Sequence, residues 1–137
     1  MRIFVTKPFG RFCRKAGIPD RALSSAVREI ERGLIDANLG GGVLKKRVAR
    51  AGGGKSGGFR TLLAFRSELR TVFIFGFAKN AVGNIFPAQL ASLKEAAEVY
   101  LGLTDDEMDE ALRAGALREV VYVEEESDEE EDGAEDE

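Results

Sequence analysis

In the middle of this chain the spacing of apolar residues switches from helical to strand-like, and that switch restricts the fold more than any other feature. From Pro19, the residues Leu23, Val27, Ile30 and Leu34 recur at helical intervals, with Ala26 beside them and Arg28, Glu29, Glu31 and Arg32 opposite. Gly33 is a helix-end signal. Eight of the 16 glycines then fall between residues 40 and 58. Around and beyond them, Val43–Arg50, Phe59–Phe65 and Thr71–Ala78 turn to the β-branched and aromatic residues of strands. Three strands with short connections predict an antiparallel meander.

The flanks complete the pattern. Arg2–Val5 reads as a short strand, and Pro8–Ala16 as a brief helix with Phe9, Phe12 and Cys13 on one side. Pro87 opens a helix carrying Leu90, Leu93, Ala97 and Leu101 on one face. Thr104 with Glu107 forms a capping box for a shorter helix ending near Gly115, and residues 119–123 read as an edge strand. The expected fold class is α+β: a small antiparallel sheet with N-terminal helices and a C-terminal helix packed on one face of it.

A length of 137 residues leaves room for one core. All 20 Lys and Arg lie in residues 1–118 beside 12 Asp and Glu, whereas residues 119–137 hold the other 12 acids and no base. The expected division is a basic domain over 1–118 and an acidic tail over 119–137, disordered from residue 124 by self-repulsion. A tethered polyanion of this kind competes with any free polyanion for a basic surface.

The residue inventory excludes several chemistries. There is no histidine, so a Ser-His-Asp or Cys-His triad, a histidine-pair ribonuclease and a Cys/His zinc site are all ruled out. No metal or other cofactor is expected. Cys13 is the single cysteine and has no internal disulfide partner. The acids Asp105, Asp106, Glu107, Asp109 and Glu110 crowd a helix start, where they complement its dipole. No apolar run is long enough to span a bilayer, and no uninterrupted apolar segment follows Met1, so a cytoplasmic protein is expected.

Charge is concentrated in the strands. Residues 43–80 hold nine Lys and Arg, namely Lys45, Lys46, Arg47, Arg50, Lys55, Arg60, Arg66, Arg70 and Lys79, against the single acid Glu68. Strand alternation sends Lys45 and Arg47 to one face and Leu44 and Val48 to the other. A basic sheet face with phenylalanines nearby suits a polyanion that carries bases. Phe73, Phe75 and Phe77 are expected in the core, while Phe86, before a helix, is available to stack on a base. The run Gly52-Gly53-Gly54-Lys55-Ser56 is no P-loop, because Ala49 stands where the motif needs glycine and a strand follows instead of a helix.

Three stretches carry a resemblance. Leu39 to Arg50, then Gly54-Lys55-Ser56-Gly57-Gly58-Phe59-Arg60, then Phe75-Gly76-Phe77-Ala78-Lys79-Asn80 resemble the RelE/ParE toxin superfamily, most of all its HigB-like branch, over roughly residues 1–100. The resemblance implies a compact α+β fold and a toxin of a type II toxin–antitoxin system. It further implies a ribosome-dependent endoribonuclease, an mRNA interferase that inhibits translation. The partners implied are the ribosome with its mRNA and a cognate helix-turn-helix antitoxin, through which alone operator DNA is touched, and no membrane. Two alternatives stay open: ParE-like inhibition of gyrase, and a catalytically inactive RNA-binding or antitoxin-partnered module.

Cleavage of this kind proceeds without histidine. Attack of a ribose 2′-hydroxyl on the adjacent phosphate needs a base, stabilisation of a dianionic phosphorane, and a proton for the leaving 5′-oxygen. A lysine crowded by cations has a neutral form available as base, and arginine holds phosphate in a bidentate grip. The resemblance places Lys45 and Arg47 on the first long strand, Arg60 in the glycine-aromatic-arginine element and Lys79 at the end of the last strand. Lys45 or Lys55 is then the base, Arg60 and Arg47 hold the phosphate, and Lys79 supports charge or protonation. Lys46, Arg50 and Phe86 are the expected substrate-binding residues. Asn80 stands where some relatives carry a second basic residue, and Phe86 where they carry tyrosine, so neither moves a proton here.

Overall fold

Three consecutive residues near the N-terminus decide how the molecule is layered. Ile3, Phe4 and Val5 are each no more than 1% exposed. Successive strand residues face opposite ways, so a strand buried at three positions in a row is covered on both faces. The structure, a computed structural model, describes residues 1–49, 58–78 and 87–123. In chain order its elements are β1 (Arg2–Thr6), α1 (Lys7–Ala16), α2 (Asp20–Glu31), β2 (Ala37–Gly40) and β3 (Val43–Val48). There follow β4 (Phe59–Arg66), β5 (Arg70–Ala78), α3 (Pro87–Gly102), α4 (Asp105–Arg113) and β6 (Leu117–Val120).

The strands form one six-stranded sheet in the order β2-β3-β4-β5-β1-β6. The expected α+β class and the β3-β4-β5 meander are present. Two details differ from expectation. First, β1 pairs with β5 in parallel, so the sheet is mixed. Second, helices cover both faces. On one, Phe9 and Cys13 of α1 and Leu23, Val27 and Ile30 of α2 pack on Ile3, Val5, Leu44, Val48, Leu63 and Phe73. On the other, Ala97 and Leu101 of α3 and Met108 of α4 pack on Phe4, Val43, Ala64, Val72 and Leu117.

Local chemistry fixes the helix ends. The Thr6 hydroxyl accepts from the Phe9 amide at 3.3 Å to cap α1, and donates to the Ile74 carbonyl at 3.2 Å. Thr104 and Glu107 form the expected capping box at the start of α4, with bonds of 2.8 and 3.1 Å. Leu34 lies beyond α2 and is 51% exposed, outside the helical stripe its spacing suggested. Burial pushes the Cys13 thiol up to about 11, which leaves it an un-ionised packing group at neutral pH.

Two of the arginines are structural. Arg70, 2% exposed, donates to the carbonyls of Tyr100 (2.8 Å) and Leu103 (2.6 Å) at the end of α3 and to Asp105 of α4 at 3.2 Å. It satisfies orphan carbonyls at a negative helix terminus. Arg2, its register partner, bonds Glu119 and Asp109, each at 2.9 Å, and lies 4.9 Å over the Phe4 ring. The acids at the start of α4 therefore serve these arginines as well as the helix dipole. Because Glu119 in β6 is one of these partners, the folded part continues past the boundary expected at residue 118. The last described residue is held to α2: the Val123 amide donates to Ser24 Oγ at 2.8 Å and its carbonyl accepts from Arg28 at 3.0 Å. The expected disordered tail from residue 124 lies outside the described residues.

Gly76 sets the approach of α1 to β5. A Cβ there would lie 2.5 Å from Phe12 Cε2 and 3.0 Å from Phe9 Cε1. Phe9 is 1% exposed and stacked on Phe73 with centroids 5.3 Å apart, so it has no room to yield. Gly76→Ala is expected to cost about 1–3 kcal/mol by overpacking. It should lower the urea midpoint at an unchanged slope. A midpoint equal to that of the wild type would contradict this packing.

Candidate nucleic-acid interface

The register of the central strands assembles a small grid of side chains. Lys45 of β3 is paired with Leu62 of β4, and Leu62 with Phe75 of β5. In the next row, Arg47 is paired with Arg60 and Arg60 with Phe77. Alternation places the four residues of β3 and β4 on the sheet face that carries α3 and α4, since Leu44, Val48 and Leu63 pack on the other, and the register brings Phe75 and Phe77 to that same face.

The pairing depends on a glycine of the sequence motif. Gly58 lies against the Val48 carbonyl so closely that a Cβ would collide with backbone. Any side chain here would push β3 and β4 apart just where Val48 pairs with Phe59 and Arg47 with Arg60. This is the physical role of the last glycine in the glycine-aromatic-arginine element.

Electrostatically the grid is uncomfortable. Two arginines directly opposite one another on antiparallel strands repel. Arg47 Nε is 3.6 Å from an Asp36 carboxylate oxygen, which relieves one side. Arg60 has no such relief: its Nη1 is buried and has no hydrogen-bond partner among the described residues. A buried guanidinium nitrogen without an acceptor is costly, and an anion reaching it removes that cost. Such a surface can hold a phosphate in a two-arginine grip with Lys45 beside it. Among the described residues, no cluster of His, Cys, Asp and Glu suited to a metal ion is present.

The other expected site residues are placed differently. Lys46 does not join the grid. Its side chain points to the α2 face, 4% exposed, with Nζ 2.7 Å from Glu29 Oε1 and 2.7 Å from the Leu34 carbonyl. This corrects its expected substrate-binding role: alternation turns it away from Lys45 and Arg47, and it pins α2 to the sheet. Arg50, Lys55, Lys79 and Phe86 lie outside the described residues.

Phe75 corrects a second expectation. It is 44% exposed, and its ring lies 5.8 Å from that of the half-buried Phe77. Phe73 alone of the three is fully buried core. The cause is a bulge: Leu63 pairs with Phe73 but Leu62 with Phe75, so Ile74 is an extra residue. Ile74 packs with Phe4 and Val72, and the phase of alternation shifts after it. No glycine or proline marks the bulge in the sequence.

The two kinds of cation separate in stability measurements. Lys46→Met leaves Glu29 and the Leu34 carbonyl without their ammonium, and is expected to cost about 3 kcal/mol in urea unfolding. Arg60→Gln removes a like-charge contact and an unsatisfied donor, so stability should stay within about 0.5 kcal/mol of the wild type or rise. A loss at Arg60 as large as that at Lys46 would show that Arg60 is part of the framework.

Comparison with known proteins bears on this arrangement. No curated protein has significant similarity to the chain. The family model of the RelE toxin of the RelE/RelB toxin–antitoxin system, however, matches residues 1–120, from the first strand to the last. The matched span contains Gly58, Arg47, Arg60 and Lys45. The chain therefore belongs to the RelE toxin family, and membership implies a cognate antitoxin as its partner.

Proposed function

We propose that this protein is a ribosome-dependent mRNA endoribonuclease that inhibits translation. The observation that carries the reading is the cross-strand pair Arg47 and Arg60, with a buried Arg60 nitrogen lacking an acceptor. Family membership supplies the toxin role, and the cationic grid supplies a surface suited to a scissile phosphate. In this reading the protein acts where the ribosome is, in the cytoplasm, and its antitoxin is a helix-turn-helix protein that carries any contact with operator DNA.

The chemistry follows from the residue types. Arg60 and Arg47 grip the two non-bridging oxygens and stabilise the extra negative charge of the phosphorane. Lys45, in the adjacent row, takes the 2′-hydroxyl proton. The 2′-oxygen bonds to phosphorus, the bond to the 5′-oxygen breaks, and that oxygen leaves with a proton. The products are a 2′,3′-cyclic phosphate and a 5′-hydroxyl. The resemblance offers Lys55 as an alternative base and Lys79 as the donor of charge or proton. With no histidine in the chain, cationic positioning replaces a matched acid–base pair, and ribosomal ordering of the mRNA supplies the remaining alignment.

Expression in bacteria with mapping of mRNA ends tests this. The wild type should arrest growth with cuts confined to translated messages. Arg60→Ala and Lys45→Ala should each reduce cleavage by about a hundredfold or more while retaining fold and antitoxin binding. Growth arrest with DNA damage and no mRNA cuts would overturn the reading in favour of gyrase, and absence of arrest in favour of an inactive binding module. Undiminished toxicity in both variants would show that the site is elsewhere.

A further inference from the structure

Phe75 is a large aromatic ring left 44% exposed, whereas the other phenylalanines among the described residues are buried or half-buried. The bulge at Ile74 is what puts it there, because it turns Phe75 and Phe77 toward the cationic grid instead of the core beside Phe73. The Ile74 carbonyl at the irregularity is taken by the Thr6 hydroxyl at 3.2 Å, so the bulge is built into the framework. Bulges of this kind re-aim side chains next to functional sites.

We infer that Phe75 and Phe77 form a platform on which nucleobases of single-stranded RNA stack while their phosphates lie on Arg47, Arg60 and Lys45. The inference rests on the proposed reading of the cationic grid as a phosphate site, and adds the bases to it. Register supports the geometry. Phe77 is the strand neighbour of Arg60, and Phe75 lies two strands from Lys45, about 10 Å at the usual strand spacing. The two rings are tilted by 41° with centroids 5.8 Å apart, so they offer two adjoining faces at different angles instead of one closed stack. A cationic track beside exposed aromatics is the general means of holding single-stranded nucleic acid without reading its sequence, since every base has a π-face. A purely apolar partner would gain nothing from the adjacent guanidinium groups, whereas a nucleotide uses both halves of the grid.

Binding of two fluorescent probes to the full chain tests this. One is a 2′-O-methylated adenosine heptamer, which cannot be cleaved; the other is an abasic chain of the same length and charge. Phe75→Leu and Phe77→Leu keep apolar bulk but remove the π-face. Each should weaken the heptamer by about 5-fold or more and leave the abasic probe unchanged, and Phe75→Trp should restore affinity. Thermal unfolding confirms that each variant folds. Heptamer affinity unchanged in both leucine variants, while Arg60→Gln weakens both probes, would overturn the platform and leave the phosphate site standing. Failure of the wild type to bind either probe would overturn both. Unchanged heptamer affinity with a shift in oligomeric state in Phe75→Leu would assign the rings to a contact between copies, which also overturns the platform.

Discussion

The hydrogen-bonded pairing of β3 with β4 places Arg47 opposite Arg60, and most of what is distinctive in this molecule depends on that register. It brings two permanent positive charges within one cross-strand spacing, which folding alone would avoid. Gly58 permits it by lacking a side chain beside the Val48 carbonyl. The same alternation that raises Lys45 and Arg47 on one face drives Lys46 into the other, where Glu29 neutralises it and α2 is anchored. One short strand thus carries the framework on one side and the candidate chemistry on the other.

The basic surplus of the central strands is consequently divided. Arg70 and Arg2 are absorbed by the carbonyls ending α3 and by Asp105, Asp109 and Glu119, at the end of the sheet where α4 and β6 pack. Lys46 is absorbed by α2. Among the described residues, a like-charge pair stays uncompensated at Arg60, where repulsion and an unmet donor are tolerated together, whereas the unmet Nε of Arg70 sits on a guanidinium whose other nitrogens are bonded. Local conflict of this kind, inside a framework otherwise consistent with its sequence, is where function is expected.

Much of the architecture was legible because it depends on spacing. The 3.6-residue rhythm of Leu23, Val27 and Ile30, the Thr104–Glu107 box and the aromatic runs of β4 and β5 correspond to observed elements. β2 was missed because Ala37–Gly40 has no apolar alternation and exists through its pairing with β3. The parallel contact of β1 with β5 was missed because period announces a strand and not its neighbour. In the site, Lys45, Arg47 and Arg60 share a face as alternation and resemblance suggested. Lys46 and Arg70 belong to the same basic segment, but net charge by segment is blind to which way a side chain turns. Spacing groups Phe75 with Phe73, because a bulge shifts phase without a mark in the sequence.

A double-mutant cycle on Arg47→Gln and Arg60→Gln tests the central claim most directly, with coupling read from urea unfolding alone and with a saturating uncleavable RNA oligomer. The account predicts that the wild-type pair is mutually unfavourable in the free protein by about 0.2–1 kcal/mol and becomes favourable when RNA is bound. Coupling that is already favourable without RNA, or that keeps its sign when RNA is added, would contradict it.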